Sequence, residues 1–125
     1  MGQIKKFEEI QGWQKARELS QSIYKITKNS ELTKDFALKD QLRRSCISIM
    51  SNIAEGFARR TNKEFINFLG LAHGSTAELQ SQLYITLDQQ YISKEQFHAI
   101  YCLAEETSRL IQGFAKYLKK ETHDS

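Results

Sequence analysis

The 125-residue chain has no proline, only two cysteines and one tryptophan, and carries no lysine or arginine between residues 64 and 93. Without proline, no helix is interrupted by a residue that lacks a backbone N–H. Cys46 and Cys102 are too few for a disulfide framework and fit a reducing compartment, where a thiol acts as a small hydrophobe. No stretch approaches the ~20 successive apolar residues of a membrane span, and the opening Met1–Phe7 has no apolar core of a secretory signal. Lys6 stands where a myristoylation signal takes Ser or Thr. A cytoplasmic protein without membrane attachment is the expectation. A glycine-rich phosphate loop is missing too, since Gly56, Gly70, Gly74 and Gly113 are dispersed.

At 40% hydrophobic and 26% charged, residues 1–125 read as one ordinary globular domain. Apolar residues recur at steps of three and four almost throughout, which is the helical period and not the alternation of a strand. Four segments follow, at about 10–28, 34–58, 62–89 and 94–119. Their stripes are Trp13, Ala16, Leu19, Ser20, Ile23, Ile26 and Thr27; Leu38, Leu42, Cys46, Ile49, Ile53 and Phe57; Phe65, Phe68, Leu69, Ala72, Thr76, Leu79, Leu83 and Leu87; and Phe97, Ile100, Ala104, Thr107, Ile111, Phe114 and Leu118. Thr61 with Glu64 and Ser93 with Gln96 have the spacing of capping boxes. Links of a few residues turn each helix back beside its predecessor. The expected fold is therefore all-α, an up-down-up-down antiparallel four-helix bundle with frayed tails before Phe7 and after Lys120.

The third segment has apolar and small residues left over. Ile66, Gly70, Gly74, Ala77, Ser81, Tyr84 and Ile85 lie away from its core stripe. A mid-helix glycine costs about 1 kcal/mol relative to alanine, so two glycines one turn apart point to close approach of another helix. That helix lies either in a second copy of the chain or in the same bundle. The second segment offers a counterpart in Gln41, Arg44, Ser48, Asn52, Glu55 and Arg59 on its non-core side. Residues 34–63 carry seven Lys and Arg against three acids, whereas 64–93 carry three acids alone, so such a contact pairs basic with acidic. The candidate subunit interface is Arg44, Asn52, Glu55, Ile66, Gly70, Gly74, Ala77 and Tyr84; a solvated face is the bland alternative.

Chemistry finds little support. Glu95-Gln96-Phe97-His98 has one Glu-x-x-His step of the type that di-iron bundles use twice, but it occurs once and its helical phase turns it away from the core. His73 and Ser75 splay apart on a helix and lack a paired acid. No catalytic residue, metal site or cofactor is expected, and the chain reads as a non-enzyme. Arg43, Arg44, Arg59, Arg60 and Lys63 are the candidate nucleic-acid contacts. With no helix-turn-helix or base-stacking module in view, binding would be directed at the phosphate backbone.

The run Ser48-Ile49-Met50-Ser51-Asn52-Ile53-Ala54-Glu55-Gly56, with Gln41-Leu42-Arg43-Arg44-Ser45 before it and Glu64-Phe65, Phe68-Leu69, Ala72, Gly74-Ser75 and Glu78-Leu79 after, resembles the four-helix-bundle family of proteins encoded in 23S rRNA intervening sequences. The resemblance spans roughly Phe7 to Lys119. Met50 stands where the family's pattern has proline, which should straighten the second helix. A family proline between the first two helices is also absent from Asn29-Ser30-Glu31-Leu32-Thr33. The resemblance implies homopentameric rings, and more distant relatives serve reverse transcriptases of diversity-generating retroelements as accessory subunits. The resulting expectation is a ring-forming bundle that binds RNA or DNA through a basic surface. A protein-interaction scaffold or accessory subunit that touches no nucleic acid is the alternative.

Overall fold

The computed structural model describes residues 3–124. Its elements are a 3-10 turn at Phe7–Glu9 and the helices α1 Gln11–Ile26, α2 Ser30–Lys34, α3 Phe36–Phe57, α4 Asn62–Asp88 and α5 Lys94–Asp124. No strand occurs among the described residues, as the absence of alternating hydrophobicity requires.

Local chemistry sets the helix ends. The Thr61 hydroxyl accepts from the Glu64 amide at 3.2 Å and opens α4. At the start of α5 the box is reciprocal: Ser93 Oγ accepts from the Gln96 amide at 3.0 Å, and Gln96 Oε1 from the Ser93 amide at 2.9 Å. Asp35 caps α3 by accepting from the Leu38 amide. The far end of α4 closes through Gln90, whose φ of 62° is the left-handed conformation usually given to glycine. The Gln90 and Tyr91 amides then donate back to the Leu87 and Thr86 carbonyls.

The direction of each long helix follows from its cross-contacts. Ser20 meets Met50 while Thr27 meets Arg43. Ser45 meets Gln82 while Ser48 meets Ser75. His73 meets Ser108 while Tyr84 meets Phe97. As numbers rise on one helix they fall on its neighbour, so α1 and α3, α3 and α4, and α4 and α5 run antiparallel. Gly12 lies against Ile111 and Lys15 against Glu106, which brings α5 back beside α1.

The expected stripes meet inside. Leu19, Ile23, Leu42, Ile49, Ile53, Leu69, Leu79, Leu83 and Ile111 are almost wholly buried. Each such side chain contributes about 1.5–3 kcal/mol by leaving water. Gly56 is buried where α3 passes the start of α4, and a Cβ there would lie 2.8 Å from both Phe65 Cδ1 and Phe68 Cβ. The polar groups between helices are matched in turn: no buried side-chain nitrogen or oxygen among the described residues lacks a hydrogen bond.

Three expectations need correction. The segment anticipated as a plain loop after residue 28 contains α2, which folds because Leu32 is fully buried and the Thr33 hydroxyl donates to the Thr27 carbonyl at 2.6 Å. The tail after Lys120 continues α5, with Tyr117 donating to Glu121 at 2.7 Å and Thr122 to the Leu118 carbonyl at 2.8 Å. Ahead of Phe7, Ile4 packs on the core and the Lys5 amide donates to Glu9. Expectations about Met1, Gly2 and Ser125 lie outside the described residues.

Candidate functional site

The five cations singled out from the sequence are not equivalent. Arg43 faces α1: its Nε donates to Thr27 Oγ1 at 2.9 Å and its guanidinium lies 4.4 Å from the Tyr24 ring centre. It fastens two helices together. Arg44 is exposed and pairs with Asp40 on its own helix at 2.8 Å. Arg59 pairs with Glu55 at 3.3 Å and lies over the Phe68 ring. Arg60 and Lys63 are exposed and make no ion pair among the described residues. The short turn from α3 into α4 brings Arg59, Arg60 and Lys63 together, while Arg43 and Arg44 sit farther back along α3.

The polar stripe expected on α3 straddles the seam with α4. Ser48 and Ser75 share a hydrogen bond of 2.8 Å, and Asn52 donates to both the carbonyl and the hydroxyl of Ser48. Asn52 is therefore half-buried and structural, whereas Glu55 stays exposed beside Arg59. A shallow groove lies along the outer side of α3 from Arg44 to Glu55, with Ile47 in it.

On α4, the leftover face is open. Nothing lies within 4 Å of a Cβ built on Gly70 or Gly74, so these glycines serve no close packing within one chain. Ala77 is exposed and Ile66 half-buried beside them. Leu71, Tyr84 and Ile85 are 52%, 50% and 50% exposed, and Ile47 on α3 is 52% exposed. Tyr84 and Ile85 are adjacent near the end of α4, and Leu71 stands about 20 Å back along the same helix.

A second feature lies at the end of the bundle where α3 turns into α4 and α5 finishes. There a cavity of about 420 Å³ is bordered by Phe57, Arg59, Arg60, Phe114, Tyr117 and Glu121. The Phe114 and Tyr117 rings are 17° from parallel with centres 6.2 Å apart. The Tyr117 hydroxyl donates to Glu121, and that bond pushes its pKa up. Sequence reasoning missed this cavity, because its walls come from three places far apart in the chain.

Of the residues weighed for chemistry, His73 and Ser75 bond to neighbouring helices. His73 turns toward α5, with Nδ1 2.9 Å from Ser108 Oγ and Nε2 3.3 Å from Gln112, while Ser75 turns toward α3. Glu95 and His98 are exposed, and Cys102 Sγ lies 3.6 Å from His98 Nε2. No group of three metal-ligating side chains occurs among the described residues. Cys46 is buried beneath Ser20, and burial pushes its thiol up to about 12, so it carries no thiolate near neutral pH. Also among the described residues, no helix is long and apolar enough to cross a membrane.

An all-helical protein with a cationic turn and an uncovered helix face is thus the class that the structure defines. The chain belongs to the family of 23S rRNA-intervening sequence proteins, which it matches over residues 8–113. It is also similar to a protein of unknown function from the S23 ribosomal protein family of Bacteroides thetaiotaomicron. That crystal structure superposes with a TM-score of 0.76 at 29% identity, covering 84% of this chain and 98% of the other. No curated protein matches the chain.

Proposed function

We propose that the chain is a non-enzymatic, up-down-up-down four-helix bundle that assembles into a ring of copies and binds RNA or DNA through a basic surface. The observation that carries the binding is the cluster at the α3–α4 turn, where Arg59, Arg60 and Lys63 are exposed and the last two are unpaired. A few cations on one copy bind phosphate weakly. Repeated around a ring they act together, because affinity for a polyanion grows with the number of phosphates neutralised. The family's name ties its members to ribosomal RNA, which agrees with this reading.

Assembly rests on the uncovered face of α4. Gly70, Gly74 and Ala77 let a helix of another copy come close, and Leu71, Tyr84 and Ile85 give it apolar surface to cover. The outer groove of α3 between Arg44 and Glu55 is the proposed counterpart, and Asn52 contributes by holding Ser48 against α4. Helix α4 carries no Lys or Arg beyond Lys63, so Arg44 in the groove of one copy can meet a neutral-to-acidic helix of the next. Five copies per ring is the number implied by the family resemblance.

The test joins mass to binding. Light scattering coupled to size exclusion is expected to give a defined oligomer near five copies. RNA or DNA binding to that oligomer should weaken steeply with salt, and neutralising Arg44, Arg59, Arg60 and Lys63 together should remove most of it. Neutralising Arg43 alone should lower stability and leave the salt slope unchanged. Binding indifferent to both salt and the fourfold variant would overturn the reading. The same exposed apolar face also suits a protein partner, so recovery of one protein irrespective of nuclease treatment would favour the scaffold or accessory-subunit function instead.

A further inference from the structure

We infer that the cavity at the α3–α4 end of the bundle receives one nucleotide of a single-stranded nucleic acid, with the base on the aromatic wall and the phosphate at Arg60. This rests on the nucleic-acid reading above and adds a site and a preference to it. A general cationic surface needs no pocket. Here a cavity of about 420 Å³ sits directly beside the cationic turn, within the ~300–1,000 Å³ of small-ligand sites.

The walls divide by chemistry. Phe57, Phe114 and Tyr117 give an apolar side, and the stacked Phe114 and Tyr117 rings, 17° from parallel, bring aromatic faces of the kind on which unpaired bases stack. Arg59 and Arg60 add positive charge to the border of the same space, and, among the described residues, Arg60 makes no ion pair that would compete with an incoming phosphate. A duplex keeps its bases inside the stack, so this site selects single strands.

Glu121 fixes the preference. Its carboxylate would repel a phosphate placed next to it, so the phosphate belongs at the arginine side. Glu121 already accepts the Tyr117 hydroxyl at 2.7 Å, and a carboxylate has further lone pairs for a base edge that offers N–H. Cytosine offers its exocyclic amine there, as carboxylates read it in other settings, whereas uracil presents a carbonyl oxygen that Glu121 repels. The pocket should therefore favour amine-bearing bases.

The experiment uses the full chain with ten-nucleotide oligo(C) and oligo(U) RNA, the oligo(C) hybridised to its complement, and CMP as the free nucleotide. Oligo(C) is expected to bind about ten-fold more tightly than oligo(U) and than the duplex at equal salt. Glu121→Ala should erase the C-over-U difference, and Tyr117→Ala should weaken both strands at least about five-fold by removing a stacking surface. Arg60→Ala should weaken binding and reduce the salt slope by about 0.7, the contribution of one single-strand phosphate contact. Glu121 and Arg60 are exposed, so those two variants read the site even if Tyr117→Ala fails to fold. CMP bound as tightly as oligo(C) would assign the pocket to free nucleotides, and much weaker CMP to strands. Equal binding of oligo(C), oligo(U) and duplex, unchanged by Glu121→Ala, overturns the pocket while leaving the basic surface standing. No binding by any probe fells both.

Discussion

Gly56 has no room for a methyl group, and its neighbours cannot step aside. The Cβ of an alanine would lie 2.8 Å from the Phe68 Cβ, an atom fixed to the backbone of α4, and equally close to the Phe65 ring. Alanine gains about 1 kcal/mol of helix propensity over glycine, but overpacking of this kind costs about 1–3 kcal/mol and forces α3 and α4 apart. Gly56→Ala is therefore expected to lower the stability of the fold, read as a lower urea midpoint. Gln90 is the opposite case, since its φ of 62° strains an L side chain that packs nothing. Gln90→Gly should raise stability by about 0.5–1 kcal/mol, checked by the same titration. Cys46 adds a pH effect: its folded pKa of about 12 lies above its ordinary value of 9.0. The folded state keeps a proton that the unfolded chain releases, so this contribution is intact below pH 9 and stability falls as pH rises from there toward 12. A Cys46→Ala protein should lose less stability than the native one between pH 8 and pH 10.

At the scale of elements, α4 carries two opposed demands. Its core side is fixed by Phe65, Leu69, Leu79 and Leu83, while Gly70 and Gly74 weaken it with no neighbour in the same chain to justify them. Gly70→Ala and Gly74→Ala should each raise the thermal stability of the isolated copy by about 1 kcal/mol, and together should lower the mass seen in solution. Raised stability with unchanged mass would show that this face is not where copies meet. The four long helices were legible because their stripes repeat over about four turns or more and the caps of α4 and α5 are local in sequence. Helix α2 was not, since five residues make less than about one and a half turns, too few for a stripe to repeat, and Leu32 declares itself only once buried. The last turn of α5 was read as tail for a similar reason: Leu118 closes the stripe, and hydrogen bonds from Tyr117 and Thr122 carry the helix onward. Among the cations, net charge found the cluster but could not show that Arg43 turns inward to Thr27 and Tyr24, because that depends on α1 lying alongside.

At the scale of the whole molecule, the cationic turn and the exposed face of α4 are separate surfaces. Arg59, Arg60 and Lys63 stand at the α3–α4 turn, whereas Leu71, Tyr84 and Ile85 lie along α4, Ile47 on the neighbouring helix and Phe36 at the start of α3. Assembly through α4 would leave Arg59, Arg60 and Lys63 free for a polyanion, while Arg44 would lie at the seam between copies. It also makes the fold sensitive to protein concentration. If assembly covers Leu71 and Ile85, mass action adds stability to the folded copies, and the unfolding temperature should rise by several degrees from micromolar to hundreds of micromolar protein. Leu71→Glu leaves the core untouched, because that side chain is half in water already, yet places a charge where the next copy must dock. Its unfolding temperature should be independent of concentration and match that of the dilute native protein. The α3–α4 cations remain on each copy, so nucleic-acid affinity should fall with the loss of multivalency and its salt slope should shrink to that of a single copy. Full affinity in a monomeric Leu71→Glu protein would separate binding from assembly and leave the face of α4 to another partner.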